Sequence, residues 1–67
     1  MITIKVNGEN KELGKDTNIA DFLKGNNINP IGVTIEHNFE VIDSKSIAEI
    51  MLKDGDTLEI LRFVGGG

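Results

Sequence analysis

The sequence contains no cysteine, tryptophan or tyrosine, and only one proline and one histidine. Without cysteine, neither a disulfide nor a thiolate zinc site can staple the chain. A single histidine excludes a multi-histidine metal cluster. Phe22, Phe39 and Phe63 are the whole aromatic set. Positive charge is scarce: seven Lys and Arg stand against eleven Asp and Glu, a net charge of -4. Phosphate-backbone binding needs a basic surplus on one face, so no nucleic-acid partner is expected. An anionic membrane surface is disfavoured for the same reason. The acidic balance suits solubility, and equally a partner with a basic docking surface. No apolar run approaches the length of a membrane span. No charged–apolar–small signal pattern opens the chain. A cytoplasmic protein, monomeric when free, is expected.

What is present fits one small domain. The 67 residues are 39% hydrophobic with regular spacing, which reads as globular. "ITIKV" (Ile2 to Val6) alternates apolar and polar residues, the pattern of a half-buried strand. Asn7-Gly8 is a hairpin signal, and a second strand is expected from about Asn10 to Leu13. Asn18 suits a helix N-cap, with Asp21 near the positive pole. Ile19, Phe22 and Leu23 share one helical face, and Gly25 is expected in the left-handed C-terminal position. "IGVTIE" (Ile31 to Glu36) predicts a third strand, His37-Asn38 a tight turn, and Phe39 to Ile42 a fourth strand. "SIAE" (Ser46 to Glu49) matches a capping box and predicts one helical turn around Ile47 to Met51. "KDGD" predicts a turn at Gly55, and Thr57 to Phe63 the last strand.

The opening hairpin and the closing strand need each other for burial. Placing the first strand centrally beside a parallel last strand, with the helix over one face, satisfies both. This predicts an α+β fold of the β-grasp, or ubiquitin-like, kind: a mixed sheet of four to five strands and one main helix. The domain is expected to span residues 1–64, and residues 65–67 to form a flexible tail. The expected core includes Ile4, Val6, Phe22, Leu23, Val33, Ile35, Leu58 and Ile60. His37 is expected to serve as a turn residue, lacking a partner for acid–base work. Asp54 and Asp56 around Gly55 fall far short of a calcium loop and are expected to shape a turn. No metal site is expected. No nucleophile, base and orienting group can be assembled into a self-contained active site.

With "VNG" near the start, "KDGD" before the last strand and "FVGGG" at the end, the chain resembles the ThiS-type sulfur carriers of thiamin biosynthesis. The resemblance covers nearly the whole chain. It implies a protein cosubstrate rather than an enzyme, with sulfur carried as a thiocarboxylate on the terminal glycine, here Gly67. Gly65 and Gly66 are then the spacer. The implied partners are an adenylating enzyme of the E1-like ThiF type, a ThiG-type thiazole synthase, and a sulfur donor such as a cysteine desulfurase. ATP and magnesium belong to the adenylating partner, and no cofactor is expected on this chain.

The chemistry is physically consistent. An α-carboxyl group with a pKa of roughly 3.3–3.7 is ionised at neutral pH. It can attack the α-phosphate of ATP, but as a carboxylate it is a poor electrophile. Adenylation supplies a leaving group, and a sulfur nucleophile can then take its place. Glycines lack Cβ atoms and so thread a narrow channel. Leu61 and Phe63 alternate with the core residues of the last strand and are expected to face outward, as a docking patch beside the tail. Two other readings stay open. One is a sulfur donor like the small subunit of molybdopterin synthase, or a ubiquitin-like modifier. The other is a non-covalent β-grasp interaction module.

Overall fold

The computed structural model describes residues 1–62. It contains β1 (Ile2–Val6), β2 (Glu9–Leu13), α1 (Ile19–Gly25), β3 (Val33–His37), β4 (Glu40–Ile42) and β5 (Thr57–Arg62). The five strands form one mixed sheet in the order β2-β1-β5-β3-β4. β1 and β5 are adjacent and parallel, with Lys5 opposite Thr57 and Val6 opposite Leu58. All other pairings are antiparallel. The mixed sheet with one helix is the β-grasp arrangement that the strand alternation predicts.

Helix α1 forms where Ile19, Phe22 and Leu23 line up, and all three are buried. Asn18 caps it: its Oδ1 accepts from the Asp21 N–H at 2.7 Å. Gly25 stays helical, contrary to expectation. Asn26 is the C-cap and Asn27 takes the left-handed position at φ 59°. The Ile28 and Asn27 N–H groups then reach back to the carbonyls of Leu23 and Lys24, satisfying the helix end. The half-buried Ile28 packs against the core at the same point, contact that a left turn at Gly25, two residues earlier, would displace.

The buried core comprises Ile4, Ile19, Phe22, Leu23, Ile35, Ile47, Leu52, Leu58 and Ile60. Val6 and Val33, expected in the core, pack against it only partly buried, Val6 at the end of β1 and Val33 at the start of β3. Ile47 and Leu52 come from the segment between β4 and β5. That segment is a run of turns and not the helical turn that "SIAE" predicts. Its carbonyls are committed elsewhere. Ile47 and Ile50 accept from the first N–H groups of α1, those of Ala20 (3.1 Å) and Ile19 (3.0 Å). Ala48 accepts from the Asn18 side chain. Satisfying the start of one helix has used the acceptors a second would need.

Both ends of β3 and the start of β4 also differ. Gly32 adopts φ +91° and breaks the extended run, so β3 begins at Val33 and Ile31 is left exposed. The second hairpin turn sits at Asn38-Phe39, one residue later than expected. His37 ends β3, and Phe39 belongs to the turn rather than to β4.

Candidate functional site

Antiparallel register assigns the two faces of the sheet. Ile35 lies opposite Ile60 and His37 opposite Leu58, on the face that α1 covers. The alternating residues line the other face: Leu61 opposite Thr34, and Glu59 opposite Glu36. Val41 in turn lies opposite Glu36. Among the described residues no helix covers this face. Leu61 is 51% exposed and Val41 is 69% exposed. Leu61 therefore stands outward, one position before the end of the described strand. Phe63, its expected companion, and the glycines Gly65, Gly66 and Gly67 lie outside the described residues.

The open face carries a cost that the fold does not require. Glu36 and Glu59 are directly cross-strand, and like charges so placed repel. Leu61 and Val41 add exposed apolar area beside them. Acidic groups flanked by apolar ones make a surface that a basic, partly apolar partner would relieve.

The end of the sheet from which β5 points toward the tail is bounded on its helix side as well. Val33 opens β3 opposite Arg62. The loop from α1 to β3 closes a cleft of about 300 Å³ there, lined by Asn27, Asn29, Ile31, Gly32, Val33 and Arg62. A second groove of about 350 Å³ lies at the other end of β5, between β1 and the Gly55 turn. Its backbone is already engaged: Thr3 N–H donates to Asp54 Oδ1, and Gly55 N–H donates to the Thr3 carbonyl.

The opposite end of β5 holds a polar network that sequence reasoning missed. Asp56 is buried and accepts from His37 Nε2 at 2.8 Å, Asn38 Nδ2 at 3.2 Å and the Lys53 N–H at 2.9 Å. Burial pushes its carboxyl pKa up, but these hydrogen bonds and the His37 charge outweigh that and hold it below the usual value. His37 thus has a partner after all, and the pair is structural. It ties the second hairpin to the "KDGD" turn. No signal in the sequence pairs a strand-end histidine with a turn aspartate 19 residues on. Among the described residues, no group of three acidic, histidine or cysteine side chains could hold a metal ion.

The fold and the site have clear relatives. The ThiS family model matches residues 4–67. The sulfur carrier protein ThiS of Bacillus subtilis is 37% identical over 65 residues, covering 96% of this chain and 98% of that protein. A thiazole synthase of Paramagnetospirillum magneticum is 32% identical over 62 residues; the match covers 92% of this chain but 19% of the synthase. The crystal structure of the thiamine biosynthesis protein ThiS from Geobacter metallireducens superposes with a TM-score of 0.85 at 30% identity, covering 98% of this chain and 100% of that one. With the β-grasp sheet, the KDGD turn and a family match that runs through the glycines, the chain belongs to the ThiS family of sulfur carrier proteins.

Proposed function

We propose that the chain carries sulfur as a thiocarboxylate on Gly67, for delivery to a thiazole-forming synthase. The observation that carries this reading is the family match extending to residue 67, through the three terminal glycines. The α-carboxylate of Gly67 attacks the α-phosphorus of ATP in an adenylating enzyme, and pyrophosphate leaves. A sulfide-level nucleophile then adds to the acyl carbon and expels AMP. The adenylating enzyme supplies magnesium and the phosphate contacts; this chain supplies the acyl group and a body to be recognised.

The domain is residues 1–64, and Gly65 and Gly66 act as a spacer that takes Gly67 into the partner's active site. Extended residues reach about 3.3–3.6 Å each, so the three glycines carry the carboxyl roughly 10 Å from Val64. Ordering such a tail costs entropy, so the body contributes affinity through the open face, with Leu61 and Phe63 nearest the tail. The matching segment within a thiazole synthase supports that kind of enzyme as the acceptor. A cysteine desulfurase is the proposed sulfur source; it yields a persulfide, and a thiol reductant must cleave that S–S bond, being oxidised to a disulfide, to bring the sulfur to the sulfide level. The alternatives, a molybdopterin-type donor or a protein modifier, draw less support, since the relatives are carriers and synthases of the thiazole branch.

Deleting Gly66 and Gly67 tests the reading. Thermal stability should hold, because the buried core is built from Ile4 to Ile60. ATP–pyrophosphate exchange with the adenylating enzyme should be abolished, the new carboxylate lying roughly 7 Å short. Exchange at the full rate would show that the terminus is not the substrate.

A further inference from the structure

We infer that the cleft at the root of the tail is a recognition site for a carboxylate side chain on a protein partner, with Arg62 as its reader. This deepens the carrier reading and rests on it. Arg62 is the one arginine in a chain whose other six cations are lysines. It sits at the last described position of β5, exposed, on the helix side of the sheet. Among the described residues it makes no ion pair.

The cleft around Arg62 is rich in donors. Asn29 Oδ1 is spent on the Ile31 N–H at 2.9 Å, which leaves its Nδ2 group to donate. Asn27 contributes a second amide. Left-handed residues at Asn27 and Gly32 fix the loop that forms the wall. Ile31, 81% exposed, supplies an apolar rim. A guanidinium presents a planar fork that binds a carboxylate through two parallel hydrogen bonds. Flanking amide donors take up its remaining lone pairs.

Charge and shape favour a protein over a nucleotide. A polyphosphate needs several cations, and here one stands in a molecule of net charge -4. An apolar rim beside a lone arginine instead matches an Asp or Glu set next to an apolar side chain. The rest of the molecule is acidic and attracts a basic surface, so the partner is a basic surface with one carboxylate opposite Arg62. That combination gives register. Leu61 meets the partner on one side of the sheet and Arg62 on the other, so the tail is aimed from both sides.

The test is ATP–pyrophosphate exchange with the adenylating enzyme, run on the wild-type chain, Arg62→Glu, Arg62→Lys and Ile31→Glu, with thermal melts alongside. Arg62→Glu should raise the KM for the carrier roughly tenfold to a hundredfold with little change in kcat, since a close interfacial charge pair is inverted. Arg62→Lys, which keeps the charge but not the fork, should fall between. If Arg62→Glu fails to fold, Ile31→Glu decides by the same shift in KM. A folded Arg62→Glu chain with wild-type KM overturns the cleft and leaves the carrier reading standing. No exchange by the wild-type chain overturns the carrier reading, and the cleft falls with it. Shifts of the Arg62 and Ile31 amide signals on adding ATP to the isolated chain would assign the cleft to a nucleotide and overturn the protein partner.

Discussion

The two hairpin turns of this molecule solve the same problem with unequal strain. Each begins with an asparagine at positive φ, Asn7 at 49° and Asn38 at 52°. Each asparagine then clamps the central strand β5 from its own side. Asn7 N–H donates to the Leu58 carbonyl at 2.9 Å. Its side chain accepts from the Ile60 N–H at 2.7 Å and donates to the Ile60 carbonyl at 3.2 Å. The amide of Asn7 thereby acts as one more rung of the parallel ladder, after β1 has turned away. Asn38 does the corresponding work at the start of β5. Its N–H donates to the Thr57 carbonyl at 2.8 Å, and its Oδ1 accepts from the Thr57 N–H at 2.9 Å. The second turn residues differ. Gly8 takes φ 86° without penalty, whereas Phe39 takes φ 71° with a side chain 80% exposed. A bulky residue in that region is strained and gains nothing here from burial. The first turn is shaped by folding alone; the second keeps a residue that folding does not ask for.

The largest expected effect breaks the first clamp. Asn7→Ala places an alanine at positive φ and leaves both polar groups of Ile60 without their partner. We expect a loss of about 2–4 kcal/mol in denaturant melts. Asn7→Gly keeps the turn but loses the rung, and the difference between the two variants separates backbone fit from hydrogen bonding. A loss below about 0.5 kcal/mol in both would remove the rung from the account.

Asn38→Ala should cost less, about 1–3 kcal/mol, because its bond to Thr57 is exposed while that of Asn7 is half-buried. The second clamp also titrates, through Asp56. Its folded carboxyl pKa is lowered, so the unfolded chain binds the proton more readily. The stabilisation is present above the ordinary value of 3.8 and is lost as pH falls through the lowered one. Asp56→Asn should therefore flatten the acid side of the stability–pH curve. An unchanged acid limb would show that other carboxylates set it.

The smallest effect has the opposite sign. Phe39→Gly should stabilise the fold by about 0.5–1 kcal/mol, relief of left-handed strain exceeding the extra entropy of glycine. Destabilisation would mean that the ring makes contacts its exposure does not suggest.

These turns also show how far the sequence could be read. Asn7-Gly8 is legible because local chemistry alone demands it. The Asn38-Phe39 turn is displaced by one residue because the pairing of His37 with Leu58 and with Asp56 extends β3 by a residue. That pull comes from distant parts of the chain. The helix is legible from its apolar stripe and Asn18, but the left-handed residue that ends it is Asn27 and not Gly25, because Ile28 has to reach the core. The run around Ile47 misleads for a similar reason: a local capping pattern yields to the tertiary use of its carbonyls by α1. The outward position of Leu61 follows from period-two alternation and is readable. The cleft at Arg62 is not, since a loop 30 residues upstream makes its wall.

The absence of cysteine gives the most direct test of the carrier itself. The wild-type chain should be incubated with ATP, the adenylating enzyme and a sulfur source, treated with a thiol-directed alkylating reagent, and weighed intact. A thiocarboxylate is then the one thiol-like group the chain can present, and oxidation of its two methionines cannot mimic the adduct. A single adduct is expected, dependent on ATP, confined to the C-terminal peptide on digestion, and absent from the chain lacking Gly66 and Gly67. An unlabelled wild-type chain, or an adduct that survives the truncation, would contradict it.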